Sequence, residues 1–369
     1  ADETKKVKSV DPASIKMLEK AQADGVSTIY DRADKMKACN IGEQGTCCKI
    51  CAQGPCRLPL PKKGIEGEDT RVGLCGATPN TIAARNFARM VAAGSASHSD
   101  HGRAVAETFL ATARGEAKDF QIQDTKKLVA VAQDFGIAVT VGEGDDEKPR
   151  DTTEIAIELG EKALAQWGQQ VGEVPLAKRA PKARYDLWKK LDIIPRGIDR
   201  EIVEIMHRTH MGVDQDYENI IKQSSRAALA DGWAGSMTST DLQDILFGSP
   251  VPVHGEINLG VLKDDEVNII VHGHEPLLSE MLVVASRTSE MQELAKTKGA
   301  KGINLAGMCC TANEILMRHG MPIAGNYLQQ ELAIVTGAVD AMVVDVQCIM
   351  ESIANVAKCY HTKVTTTNT

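Results

Sequence analysis

The chain has 369 residues, room for two or three domains at roughly 150 residues each. At 43% hydrophobic and 25% charged it has ample apolar material for a packed core, and with aromatics at only 4% that core must be filled by Leu, Ile, Val, Met and Ala. Lys and Arg number 42 against 50 Asp and Glu, so the net charge of −8 argues against nucleic acid as a partner. No apolar run approaches the roughly 18 residues of a membrane span; the best, at 331–347, is broken by Asp340 and Asp345.

The N-terminal stretch ADETKKVKSVDPAS lacks the apolar core of a secretory signal, and a cytoplasmic location is expected. Residues 1–245 read as a helical domain. Asp11-Pro12 forms a cap followed by a first-turn proline, ahead of Ile15, Leu18 and Ala21 at helical spacing.

Six of the 10 cysteines fall between Cys39 and Cys75. Five of them crowd the segment ACNIGEQGTCCKICAQGPCRL, too rich in Gly and polar residues to bury thiols in a core. Reduced cytoplasmic thiols do not staple a domain of this size. Metal ligation is the reading that remains. The spacing Cys48-x2-Cys51-x4-Cys56, followed by Cys75 after a longer loop, departs from paired zinc knuckles and suits a [4Fe–4S] cubane wrapped by a loop. Cys39 and Cys47 are then left over, two thiolates where a cubane needs four. An isologous dimer would double them, so a cluster shared across a two-fold axis is expected.

Further along, His98 and His101 share a helix face and suit proton export near neutral pH. Asp151-x-x-Glu154 is a capping-box pattern ahead of IAIELGEKALAQW, and Asp199 caps a helix that Gly212 would stop. The charged stretches 143–151 and 176–184 read as exposed connections. His207, His210, His254 and His319 read as hydrogen-bonded structural histidines, and Cys359 as a buried thiol.

Residues 246–369 change period. The runs 267–274, 302–310, 341–348 and 363–367 are short and β-rich, separated by helical segments at 277–298, 311–319 (with the box Thr311-x-x-Glu314) and 328–336. This pattern predicts a Rossmann-like, doubly wound parallel sheet, giving an α+α/β fold overall. No G-x-G-x-x-G accompanies it, so a dinucleotide is not expected. His272 and His274, Cys309 and Cys310, and Cys348 each follow a predicted strand, one βα unit apart, at the edge where open parallel sheets bind ligands.

Taken with CNIGEQGTCCKICAQGPCR, HSDHGR at 98–103, VNIIVHGH, LAGMCCTANEILMRHG and DVQCI, the sequence from about residue 20 onward resembles the nickel-dependent carbon monoxide dehydrogenases of anaerobes. The resemblance implies a nickel–iron–sulfur active centre and accessory [4Fe–4S] clusters. In it Cys48, Cys51, Cys56 and Cys75 would hold the cluster within a subunit and Cys39 and Cys47 the cluster on the dimer axis. His274 and Cys310 would bind the extra iron of the active centre, Cys348 would bind an iron of its cubane part, and His98 would lie beside the substrate. It further implies oxidation of CO with water to carbon dioxide, two protons and two electrons, with a ferredoxin-like acceptor. The family continues its histidine run where Ala104 and Glu107 stand here, so a shorter relay is expected. Its members are also longer, and the nickel thiolate and remaining cubane ligands lie in a part that this chain lacks. A fragment or an incomplete centre is the expectation, with a non-catalytic electron carrier or a hybrid-cluster oxidoreductase as the competing readings.

Overall fold

A computed structural model describes residues 8–61, 69–142 and 144–367, with Asp145 described by its backbone alone; Glu143 of the expected 143–151 loop lies outside the described residues. The chain forms two compact units: one from the segment ending at Lys37 together with Ser249 onward, the other Ala38–Gly248. The first two helices therefore group with the sheet, whereas the sequence pattern assigns them to the helical region.

Helix α1, Pro12–Ala23, starts where the sequence predicts, with the Asp11 carboxylate accepting from the amides of Ala13 and Ser14 and Pro12 in the first turn. Helix α2, Ile29–Lys35, opens with a Thr28/Asp31 capping box. The buried Glu331 carboxylate accepts from the Ile29 amide (2.6 Å) and from Arg32 Nη2 (2.7 Å), which ties α2 to the sheet unit.

The helical unit begins with α3 (Asn40–Glu43) and an antiparallel pair, β1 (Cys47–Cys48) with β2 (Cys56–Arg57). Its spine is α4, Pro79–Ala113, capped by the Thr78 hydroxyl. Ala84, Ala88 and Ala92 repeat every four residues on the face of α4 that packs with Ile205, Ile220 and Ala227, small side chains that let helices approach closely. Helix α5 (Thr125–Asp134) follows, then the short pair β3 (Thr140–Val141) and β4 (Lys148–Pro149), then α6 (Thr152–Gly168), capped by Asp151 as its sequence predicts. The stretch 176–184 departs from the expected exposed loop: Pro175–Arg179 is a 3-10 turn whose Leu176 and Ala177 are fully buried. Three more helices complete the front of the unit: α7 (Lys182–Lys190), α8 (Ile198–Arg208) and α9 (Tyr217–Ala230). Asp199 sits in the first turn of α8 behind an N-cap at Gly197, and α8 ends before Gly212, with Thr209 as C-cap. A π-helical turn, Asp231–Gly235, joins α9 to α10 (Ser236–Phe247).

In the sheet unit, β5 (Val267–Gly273), β6 (Ile303–Met308), β7 (Ile323–Gly325), β8 (Val339–Val344) and β9 (Lys363–Thr366) form one parallel sheet in the order β7-β6-β5-β8-β9. The order reverses beside β5, which is the doubly wound arrangement the strand–helix alternation predicts. The expected helix 277–298 is broken in two, α11 (Pro276–Ser286) and α12 (Ser289–Thr297), because Thr288 leaves the helix and caps α12 through the Met291 amide. Helix α13 (Cys309–His319) starts two residues earlier than expected, with Met308 as N-cap, so Thr311 does not form the predicted capping box. Instead its buried hydroxyl faces Asp345 Oδ2 at 3.4 Å. The last two helices are α14 (Gln330–Val335) and α15 (Ile353–Ala357).

Candidate metal-cluster sites

The β1–β2 register sets Cys48 directly opposite Cys56. Between them the chain turns so tightly at Gly54 that a Cβ there would stand 2.8 Å from the Cys56 amide nitrogen. Cys48, Cys51, Cys56 and Cys75 consequently line one cavity of about 300 Å³, with walls that include Ile50, Leu74, Ala77, Ile82 and Met211. Four soft thiolates around an apolar chamber fit a [4Fe–4S] cubane, which takes one thiolate per corner iron. Hydrogen bonding from the Ala77 backbone, with the Arg85 side chain, holds the Cys75 thiol below the usual cysteine range. Thiolate is the ligating form.

Neither Cys39 nor Cys47 lines this cavity. Cys39 is exposed at the N-cap of α3, and the Cys47 carbonyl accepts from Asn86 Nδ2 on α4 at 3.1 Å, which fixes the loop beside the helix. Of the six front cysteines, four therefore share a cavity and two lie outside it.

Midway along α4, His98 Nδ1 lies 3.0 Å from Asp231 Oδ2, and the His98 and His101 rings meet edge to face with centroids 6.3 Å apart. Asp231 belongs to the π-helical turn, and its other carboxylate oxygen accepts from Ser236 Oγ at 2.7 Å. The contact depends on two glycines: a Cβ on Gly102 would meet the Gly235 carbonyl oxygen at 2.8 Å, and a Cβ on Gly235 would meet Ser99 Oγ at 2.5 Å.

In the sheet unit the turns after β6, β7 and β8 border a cleft of about 520 Å³ that contains Cys309, Cys310, Asn326 and Cys348. Cys309, Gln347 and Cys348 all adopt left-handed backbone conformations (φ 62°, 65° and 57°), costly for residues with a Cβ and concentrated at functional turns. Gln330 secures the last turn: its Nε2 donates to the Cys348 carbonyl (3.0 Å), and its Oε1 accepts from the Met350 amide (2.7 Å). The same Oε1 meets Nε2 of the fully buried His272 at 3.0 Å, which gives His272 a structural partner.

Asp345 links the strand ends that carry the expected ligands. Its Oδ1 accepts from the His274 amide at 2.7 Å, and its Oδ2 faces Thr311 on α13. The His274 side chain is half-buried and is not part of the cleft lining, whereas Cys310 and Cys348 are. Cys309, which its sequence neighbourhood leaves open, lies in the cleft with them. Burial, with the neighbouring thiols of Cys348 and Cys310, pushes the Cys309 thiol up to about 12; burial and Cys348 likewise raise Cys310. Thiols that oppose one another's ionisation become thiolates when a cation supplies the compensating charge, so this donor set fits a metal–sulfur group. Among the described residues no three His, Cys, Asp or Glu side chains converge as a site for one metal ion, whereas a cluster is gripped around its outside.

Cys359 is exposed, correcting the expectation of a buried thiol. His319 has the expected partner, its Nε2 lying 2.5 Å from Glu280 Oε2, and His210 Nδ1 lies 3.3 Å from the Met211 carbonyl oxygen, while His207 and His254 are exposed. Among the described residues no helix is long and apolar enough to cross a membrane.

Residues 46–369 match the family model described as Prismane/CO dehydrogenase family. "Carbon monoxide dehydrogenase 1" of Methanosarcina mazei is 53% identical over 363 residues, 98% of this chain and 56% of that protein. "Carbon monoxide dehydrogenase 2" of Carboxydothermus hydrogenoformans is 44% identical over 364 residues, 98% and 55% of the two chains. Among solved structures, a Ni-free carbon monoxide dehydrogenase from Thermococcus sp. AM4 superposes with a TM-score of 0.88 at 47% identity, covering 98% of this chain and 57% of that one. An acetyl-CoA synthase/carbon monoxide dehydrogenase with NiZn[Fe4S4] and NiNi[Fe4S4] clusters in its alpha subunits also superposes with a TM-score of 0.88, at 44% identity, over 98% of this chain and 52% of that one. The chain spans about half the length of the curated relatives it matches.

Proposed function

The chain belongs to the Prismane/CO dehydrogenase family, and from that premise we propose that it carries the iron–sulfur relay and part of the active centre of a carbon monoxide dehydrogenase, which oxidises CO with water to carbon dioxide, two protons and two electrons. The observation that carries this reading is the gathering of Cys309, Cys310 and Cys348 in one cleft at the carboxyl edge of a parallel sheet. His274, Cys310 and Cys348 would hold the nickel–iron–sulfur centre, which when bound supplies the redox and Lewis-acid chemistry for a substrate with no acidic proton. The remaining ligands, the nickel thiolate included, would come from the portion present in longer relatives.

The chain's own residues bind and orient. Asp345 fixes the His274 backbone, and Gln330 fixes the Cys348 carbonyl. His98, oriented by Asp231 at 3.0 Å and followed by His101 on the same face, would accept and pass on protons. Cys48, Cys51, Cys56 and Cys75 would hold the [4Fe–4S] cluster that takes electrons onward. Cys39 and Cys47 would meet their counterparts from a second copy around a shared cluster, and a ferredoxin-like protein would be the acceptor. The reading places the work in the cytoplasm.

Anaerobic purification with iron and nickel quantification, and CO-dependent reduction of a viologen dye, test this. Expected are iron together with nickel, loss of CO oxidation in Cys310→Ala with the other clusters retained by EPR, and loss of about two irons per chain with weaker self-association in Cys39→Ser. Iron without nickel would move the assignment to hybrid-cluster chemistry, and full activity in Cys310→Ala would overturn the ligand assignment.

A further inference from the structure

Arg85, on the second turn of α4, is among the largest fully buried side chains, 1% exposed, and it lines the cavity of the four cysteines. Among the described residues its Nε has no hydrogen-bond partner. Apart from its approach to the Cys75 thiol, its hydrogen bonds among the described residues are long: Nη2 to the Asp214 carbonyl oxygen and to Gln215 Oε1, both at 3.4 Å. Among the described residues no carboxylate forms a salt bridge with it. Other well-buried arginines have a carboxylate partner: Arg226, whose Nε is likewise without a hydrogen bond among the described residues, meets Asp192 at 3.0 Å, and Arg318, whose side chain is 3% exposed, bridges to Glu314 at 2.7 Å. A guanidinium keeps its charge in proteins, and burying a charge without a partner is costly. A cation left in this state beside four thiols points to an anion in the cavity.

We propose that Arg85 is the resident cation that sets the electron affinity of the four-cysteine site, its unpartnered Nε–H donating to a sulfur of the bound cluster. This rests on the reading that Cys48, Cys51, Cys56 and Cys75 hold a [4Fe–4S] cluster. On reduction one electron enters, no bond forms or breaks, and the site gains one unit of negative charge. A fixed positive charge in a poorly screened interior favours that state, so Arg85 raises the reduction potential.

Redox titration followed by EPR on anaerobically purified protein tests this. The signal lost in Cys48→Ala and kept in Cys39→Ala identifies the cluster; a signal that survives both Cys48→Ala and Cys56→Ala would overturn the underlying reading, not the role of Arg85. Arg85→Met and Arg85→Gln should lower the reduced-to-oxidised ratio at fixed potential tenfold or more, about 59 mV for a one-electron couple. Arg85→Lys should shift it less. Gln215→Glu offers a second route should the Arg85 variants not fold: it leaves Arg85 in place but adds a carboxylate beside its Nη2, and should shift the potential in the same negative direction. An unchanged midpoint in the folded, iron-loaded Arg85 variants, or in Gln215→Glu where those do not fold, would overturn the proposal.

Discussion

Gly273 ends β5 at φ +139°, and a Cβ there would stand 1.7 Å from Asp345 Oδ1. Its backbone can follow this path only because it carries no side chain, and the path delivers the next residue, His274, to the sheet edge. Gly273→Ala should therefore cost more than about 2 kcal/mol and break the Asp345–His274 bond, seen as a lower urea midpoint and reduced metal uptake. The neighbourhood was partly legible. Strand-end His274, Cys310 and Cys348 stand out by chemistry and by their spacing of one βα unit. Cys309 was undecided, since two adjacent thiols look alike until a left-handed backbone turns one of them. The positioning roles of Gln330 and Asp345 are not legible, since each acts across long sequence separations, 18 residues from Gln330 to Cys348 and 71 from His274 to Asp345. In the sequence Asp345 stands out only as a break in an apolar run and as the first residue of DVQCI.

At the scale of elements, α4 and the π-helical turn act as a pair. Gly102 and Gly235 allow backbone contact where side chains would collide, and this contact positions Asp231 against His98. Gly102→Ala should destabilise the protein by about 1–3 kcal/mol, whereas Gly94→Ala on the same helix, where a Cβ meets nothing within 4 Å, should be neutral or stabilising by up to about 1 kcal/mol. Thermal unfolding of the two variants side by side checks the contrast. Long elements were readable from their caps and periodicity, as Asp11 and Asp151 illustrate. The misreadings have local causes. A three-residue strand such as β7 offers no alternation to detect, Thr288 ends one helix while capping another, and Thr311 spends its hydroxyl on Asp345 instead of a capping box.

At the scale of the molecule, charge is concentrated in networks; in one of them Glu204 meets Arg196, Arg200 and Arg208 each at 2.7 Å. Burial alone would raise this carboxyl, but hydrogen bonds from Arg208 and Arg196 with their charges hold it down to about 2. Its folded value lies below the unfolded value of about 4.3, so it stabilises fully above that point and its contribution disappears as pH falls toward 2. Glu204→Gln should accordingly be less stable than the parent protein at pH 7 and equal to it near pH 2, by urea unfolding across that range. The parallel sheet and its order of chemistry were legible from the alternation of strand and helix. Membership of α1 and α2 in that unit was not, because it depends on partners such as Glu331 far along the chain.

That last pairing sets a timetable for synthesis. Arg32 leaves the ribosome 299 residues ahead of Glu331, an interval of roughly 15–60 s at ordinary elongation rates. During this time the intervening helical unit can fold and load iron, while the two leading helices wait without their partner. Nascent chains stalled before residue 331 should therefore expose α2 to protease while protecting α4, and a chaperone that shields the early segment would act within that window.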